Sequence, residues 1–530
     1  MRSAALLAGL VTIGACGMAP AAAATLPSEL RIAFVPLDDR PATEDFPQRI
    51  AAICGARLEL PPQSTLGHFT QPGDPAAIGR WLLGLDAGGL TAVVVSTDML
   101  AYGGLVASRA PDTSLGAALY RLRALADFHR LHPDVPIYAF GTVMRLAPTA
   151  TKESEPYLEA LSHYAALAGV ALPTPEQSAA LAISRHDIPD DVYWQYIGTR
   201  ARDLALDEQL LVMDAEGDFA ALALTQDDAG SDTGLHVPEE ARLRALAVQL
   251  GVTRTAFFNP GADEMGMVMS VRAIEDAVRW APSVDIVYPS TAAAQARDPL
   301  EYVPIDQTIG DLAGFMRMAD QTDAGFALAV IAPDPAVQTA TFFDADIVAP
   351  LRANKPVAIA DLSFLTGDAA AQAYAVTTLG ADGVAGDPIA YASWNTTANT
   401  AGTALATAAA TLVGRRFGTF DAGAAATFLF ERYVDDYGYR LEVRPQLQAS
   451  LVAQGADVYA LGDDTAVAES ALRARLWPLA VSIFDEDFKP AGWRDSGIGL
   501  SLPWQRTFET SVDASLERVV PEPTPAPSGA

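Results

Sequence analysis

The sequence predicts an α/β protein, read as a (β/α)₈ barrel with an inserted helical segment and a C-terminal helical and mixed region, with a doubly wound open sheet as the alternative. Three observations lead there. Short β-rich apolar runs alternate with amphipathic helical stretches, which is the pattern of βα units around a parallel sheet. The runs number eight, the count of the barrel, although an open sheet gives the same alternation. Polar residues gather just past the carboxyl ends of the runs, where both folds place their ligands.

The eight runs are Arg31 to Val35, Thr91 to Ser96, Val135 to Phe140, Phe219 to Thr225, Thr255 to Phe258, Val284 to Tyr288, Phe326 to Ile331 and Val357 to Ala360. Between them, Leu115 to His129, Glu239 to Leu250, Val271 to Trp280 and Asp306 to Met318 carry apolar residues at three- and four-residue spacing, the period of a helix with one buried face. A further short run, Leu58 to Leu60, fits an excursion in the first connection, and Lys152 to Asp214 fits an inserted helical layer. This region, 25–414, is read as the catalytic domain. Residues 415–517 form the C-terminal region, with helices over Ala422 to Asp435 and Ala466 to Phe484 and a β-like stretch from Gly497 to Thr510. The Pro-, Ser- and Ala-rich tail, 518–530, has little to bury and is expected to be disordered.

Residues 1–24 read as a secretory signal peptide: Arg2, an apolar stretch from Ala4 to Ile13, then Ala22-Ala23-Ala24 as an A-x-A cleavage site. Ile13-Gly14-Ala15-Cys16 also resembles a bacterial lipobox, so a lipid tether at Cys16 is the alternative to release. The expected location is periplasmic or extracellular. If Cys16 leaves with the leader, Cys54 is the remaining thiol and no internal disulfide can form. The 530-residue chain, half of it hydrophobic, must hold itself by its core, and no later apolar run reaches membrane-span length. A formal charge of −30 disfavours nucleic acid and anionic membrane surfaces as partners.

The strand-end residues carry the chemistry. They are Asp38, Asp39 and Arg40 after the first run, Asp98 and Tyr102 after the second, Arg145 after the third, Asp227 and Asp228 after the fourth, and Asp263 and Glu264 after the fifth. Asp361 follows the eighth, with Trp394, Asn395 and Asn399 beyond it. Converging acids, arginines, a Tyr and a Trp-Asn pair describe a sugar-binding cleft better than a phosphate site. No Walker A motif, strand-following GxGxxG, HExxH or CxxC occurs. Asp227 and Asp228 are the expected catalytic pair: where a strand ends the pleat relaxes, both carboxylates can turn one way, and two crowded acids push their pKa values apart. Asp38, Asp39 and Arg40 read either as an ion pair between two prolines or as hydroxyl-binding groups. Asp263 and Glu264 read as a second acid pair or as the charged first turn of a helix.

From about Arg31 to Phe508 the chain resembles a family of exported bacterial proteins of unknown function. The resemblance rests on PLDDRP, the Asp98 to Arg109 pattern D-M-x-A-Y-G-G-L-x-x-S-R, Gly261-Ala262-Asp263-Glu264, and the Trp394 to Ala406 pattern W-N-T-x-x-N-T-x-G-T-A-L-A. It implies no activity. Locally, Asp218 to Gly230 is similar to the fourth barrel strand of β-N-acetylglucosaminidases of the O-GlcNAc-hydrolase type, an apolar strand ending in two adjacent Asp. That similarity implies that Asp227 orients the substrate's own 2-acetamido nucleophile and that Asp228 is the general acid and then base. The Trp394-Asn395 pair is similar to one lining that pocket, but here it follows the eighth strand, and Asn259 to Glu264 departs from the pattern.

The expected function is therefore hydrolysis of a β-linked 2-acetamido sugar on a glycan or small carbohydrate, with no cofactor. The alternatives are a metal-assisted hydrolase in which Asp38, Asp98, Asp263 and Asp361 gather Mg²⁺ or Ca²⁺, and a non-catalytic carbohydrate-binding or envelope protein. The scattered histidines speak against zinc, and Trp477, Trp493 and Trp504 are expected in the core of the C-terminal region.

Overall fold

The computed structural model describes residues 30–319, 325–334 and 339–519. The signal peptide, Cys16 and residues 520–530 of the tail lie outside the described residues.

The fold is α/β, with parallel strands and helices. Strands β1 (Leu30–Val35), β2 (Ala56–Glu59), β3 (Leu90–Ser96), β4 (Ile137–Val143), β5 (Ala221–Gln226) and β6 (Ala256–Phe257) form a six-stranded sheet in the order β2-β1-β3-β4-β5-β6. Strands β7 (Val284–Val287), β8 (Phe326–Ile331), β9 (Val357–Asp361) and β10 (Ala390–Ala392) form a four-stranded sheet in the order β10-β9-β8-β7. Every pairing within these two sheets is parallel. All eight expected runs are strands, with ends shifted by a few residues. Leu58 and Glu59 of the Leu58 to Leu60 excursion belong to β2, and β10 is additional.

The strands are apolar on both faces because both faces are covered, the usual condition of a parallel sheet. On one face of the six-stranded sheet, Ala33, Val35, Val93, Val95 and Leu222 pack on helices Pro75–Leu83, Leu115–Leu131, Asp190–Glu216 and His236–Leu250. On the other, Ile32, Phe34, Val94 and Phe140 share a core with Leu328, Val330, Ala358 and Ala360 of the four-stranded sheet. Helices Met265–Val278 and Thr397–Phe417 belong to that same core and pack against each other. The second face of the four-stranded sheet, with Ala329, Ile331 and Ile359, packs on helix Ala369–Ala381 and on the C-terminal region.

Small residues make the middle layer possible. Thr397–Phe417 is built largely from Ala, Thr and Gly and is buried along nearly its whole length. A Cβ on Gly402 would lie 2.6 Å from Cγ of Glu264 on the neighbouring helix N-terminus, so the close approach depends on glycine. In the C-terminal region, helix Ala422–Arg432 runs into a π-helical stretch, Tyr433–Val443, followed later by helix Thr465–Ile483. An antiparallel hairpin, β11 (Trp493–Ser501) and β12 (Ser511–Arg518), brackets the expected β-like stretch: its residues 497–501 are strand, its remainder is the connecting loop, and the last strand reaches the first residue of the expected tail. The inserted layer is helical as expected, with Leu158–Leu167, Pro175–His186 and Asp190–Glu216. Among the described residues, Cys54 is a free thiol, and it is buried. No helix among the described residues is long and apolar enough to cross a membrane.

Replacing Gly402 by Ala should destabilise the protein by about 1–3 kcal/mol through overpacking against Glu264. A drop in the urea midpoint with an unchanged slope checks this, and an unaltered midpoint would contradict the tight helix contact.

Candidate active site

Strand ends bring the cleft together. The residues past β1, β4, β5, β6 and β10 supply Arg40, Arg145, Asp227 with Asp228, Asp263 and Asn395, and all line one solvent-open cavity of about 780 Å³. The backbone beyond β5 is held on both sides. Asp227 N donates to Val143 O at 3.2 Å, Gln226 N donates to Asn259 O at 2.8 Å, and Gly261 N donates to Gln226 O at 2.9 Å. Both carboxylates past the strand end thereby face the cleft, as the relaxed pleat predicts. Gly261 has φ +123°, and a Cβ there would collide with the Glu264 carboxylate, so this turn requires glycine.

Each carboxylate on the cleft wall is paired with an arginine. Arg109 donates to Asp227, and Arg145 Nη1 lies 3.0 Å from Asp228 Oδ2. Arg40 donates to Asp263 through two nitrogens, at 2.7 and 3.0 Å, and to Asp38 at 2.8 Å. Such forked pairs fix geometry as well as charge. Burial and the neighbouring Asp227 charge push the Asp228 carboxyl up to about 6, against the attraction of Arg145 and Arg109. Burial also raises Asp263.

The opposite wall comes from the loop between β11 and β12. Trp504 has the Arg40 guanidinium 4.9 Å from its ring centroid on one contact and Arg506 at 4.6 Å on another, and its indole N–H donates to Asp39. Trp504 and Gln505 hold φ of 56° and 49°, and Asn395 holds 57°, left-handed values that non-glycine residues adopt at a cost. Asn395 is fixed by a relay: its Nδ2 donates to Asn399 Oδ1 at 2.6 Å, and Asn399 Nδ2 donates to Glu264 Oε2 at 2.7 Å. Asp298 and Glu301 accept from the first backbone amides of the Asn399 helix, Thr397 N at 2.8 Å and Ala398 N at 2.7 Å, where the helix dipole favours anions.

A family model described as a protein of unknown function (DUF4127) matches residues 32–513. The chain belongs to that family. No curated protein and no solved structure matches it significantly.

In this DUF4127 member, Arg40, Arg145, Asp227, Asp228, Asp263 and Asn395 meet on the cleft, and Asn399 lies in the floor beside Glu301. Other expected substrate-binding residues stand behind it. Asp38 is buried and holds Arg40 and the Thr43 hydroxyl. Asp39 bonds His68 and Trp504. Glu264 is fully buried beneath Asn399, because the Gly261 turn folds its carboxylate back onto Ala262 N at 3.0 Å. Asp98 accepts from Thr142 N at 3.0 Å inside the sheet, and burial with Asp203 nearby pushes it up to about 7. Tyr102 is buried with the Arg202 guanidinium over its ring. Asp361 accepts from the Tyr391 hydroxyl at 3.1 Å and from Ser363 N, and burial pushes it up to about 6. Trp394 lines a neighbouring cavity.

The quartet expected to hold a cation does not gather: Asp38 and Asp263 share Arg40, while Asp98 and Asp361 have the separate partners above. Among the described residues no group of three or more His, Cys, Asp or Glu is placed to hold a metal ion.

Sequence reasoning missed Arg109, Trp504, Arg506, Phe508 and Tyr459, all on the cleft. Trp504 was expected in the C-terminal core, and Trp477 is exposed instead of core. Arg109 closes the Asp98 to Arg109 pattern, so its place was marked. Nothing local distinguishes Trp504.

Burial pushes Glu264 up from 4.5 to about 7, so the folded protein takes up a proton there that the unfolded chain releases. That contribution is complete below about pH 4.5 and lost as pH rises through 7. Glu264→Gln should therefore flatten the fall of Tm between these values, and calorimetric Tm–pH curves of identical slope would contradict it.

Proposed function

We propose that the protein is an exported glycoside hydrolase that cleaves a β-linked 2-acetamido sugar with the substrate's own acetamido group as nucleophile. The carrying observation is that adjacent carboxyls, Asp227 and Asp228, face one cleft and that Asp228 is pushed up to about 6, in reach of a proton donor's range. Asp228 gives its proton to the glycosidic oxygen while the acetamido oxygen bonds C1 and the C1–O bond breaks, releasing the alcohol. Asp227 accepts from the acetamido N–H and balances the charge of the cyclic intermediate. Water then adds to C1, its proton goes to Asp228, and the acetamido group reopens, leaving the sugar with its configuration retained. This is one of the known departures from the two-carboxylate scheme.

The parallel sheets suit the reading in either form. We read them as doubly wound, because helices Met265–Val278 and Thr397–Phe417 are packed between two sheets whose outer faces are also covered, whereas an eight-stranded ring would keep its helices outside. The closed barrel is the alternative.

A second reading, a carbohydrate-binding protein without turnover, is favoured by one observation: every cleft-wall carboxylate is engaged by an arginine. Chromogenic N-acetylglucosaminide and N-acetylgalactosaminide separate the two. Wild-type turnover should fall at least ~100-fold in Asp228→Asn. Saturable binding without turnover would select the second reading, and turnover unaffected by the substitution would remove Asp228 as the acid.

The acid must carry its proton, so kcat/KM should decline as pH rises through about 6. Arg145→Ala removes a cation that lowers Asp228, and should move this alkaline limb to higher pH; a limb that stays put or moves down would contradict the assignment.

A further inference from the structure

The central cleft is not a blind pocket. On one side it shares Asn395 and Phe508 with a cavity of about 810 Å³ lined by Tyr391, Trp394, Tyr437, Arg440 and Arg444. On the other it shares Val106, Arg109 and Thr149 with a cavity of about 990 Å³ lined by Pro148, Tyr157, Gln195 and Tyr196. The first arm is built by the loop after β10 and the π-helical stretch, the second by the inserted helical layer. The acid pair thus occupies the middle of a continuous depression instead of its end.

The polar lining also extends along it. Arg440 lines the first arm, Arg145 the centre and Arg109 both the centre and the second arm, so a guanidinium stands in each part of the depression. Each guanidinium carries several N–H donors, which suit the hydroxyl or carbonyl oxygens of a ligand lying along the depression. The π-helical stretch that carries Tyr437 and Arg440 is a conformation found preferentially at functional sites. Tyr437 and Tyr157, both half-buried, give each arm a ring for a sugar face.

We infer that this groove binds an extended glycan chain on both sides of the acid pair and that the protein cuts internal linkages, an inference that rests on the hydrolase reading above and names its substrate class. Binding energy from sugar units remote from the cut would then appear in the rate.

The test uses β-linked N-acetylglucosamine oligomers from dimer to hexamer. With the full protein, kcat/KM should rise at least ~10-fold from dimer to hexamer, and the first products of the hexamer should be dimers to tetramers. Tyr437→Ala and Tyr157→Ala should each lower the hexamer-to-dimer ratio. Equal kcat/KM for all lengths, or release of monomer alone in the first turnovers, would overturn the groove while leaving the hydrolase reading intact. Titration of Asp228→Asn protein with the same series keeps the two apart. Tighter binding of hexamer than dimer without wild-type turnover supports the groove and rejects hydrolysis, whereas no length dependence in either measurement rejects the groove.

Discussion

The buried guanidinium of Arg40 ties the loop after β1 to the loop after β6, through Asp38 on one side and the two oxygens of Asp263 on the other. Its own loop is set for this. Arg40 N donates to Asp38 Oδ1 at 3.1 Å, and the Thr43 hydroxyl donates to the same oxygen at 2.6 Å. The C-terminal loop reaches the cleft by laying Trp504 against that guanidinium. Losing one member of such a buried group leaves an uncompensated charge, typically a cost of about 3–5 kcal/mol. The cleft's three-sided geometry therefore rests on this cation.

The middle layer transmits a second constraint. Because Gly402 lets the Thr397–Phe417 helix approach the start of Met265–Val278, the Glu264 carboxylate can receive Asn399 at 2.7 Å. Asn399 in turn holds Asn395 at the point where the central cleft meets the first arm of the groove. A residue that never touches the cleft surface thus decides the position of one that does. Burial pushes Glu264 to about 7, so the relay changes charge within the neutral range.

Much of this was legible in the chain. Doubly apolar runs announce strands covered on both faces, and strand-end clustering located Arg40, Arg145, Asp227, Asp228, Asp263 and Asn395 together. The choice between catalytic surface and supporting layer was not legible for Asp38, Asp98, Glu264 and Asp361. A strand end gives a carboxylate its neighbourhood, but whether it faces solvent or a backbone amide depends on turns such as that at Gly261 and on partners distant in sequence. Strand order was equally hidden, because helices of the same amphipathic pattern cover an open sheet or surround a ring. Trp504 escaped for a further reason: it arrives from a hairpin loop some 465 positions from its partner Asp39, and no periodicity marks it.

The charge pattern of the cleft narrows what it can hold. The protein as a whole carries −30, yet Arg40, Arg109, Arg145 and Arg506 converge on one cavity with Asp227, Asp228 and Asp263. A phosphorylated ligand would be served by cations in clear excess, as anion sites are. Here the arginines are already matched, three by cleft acids and Arg506 by Glu509 at 2.8 Å. The wall therefore alternates fixed donors with fixed acceptors, held in place by left-handed residues at Asn395, Trp504 and Gln505 that persist where their surroundings over-determine them. A sugar hydroxyl both donates and accepts, so an uncharged polyhydroxyl ligand can bond such a wall without separating its ion pairs. That match between paired charges and a neutral, many-handed ligand is the physical argument for proposing a glycan here in place of an anion of the same size.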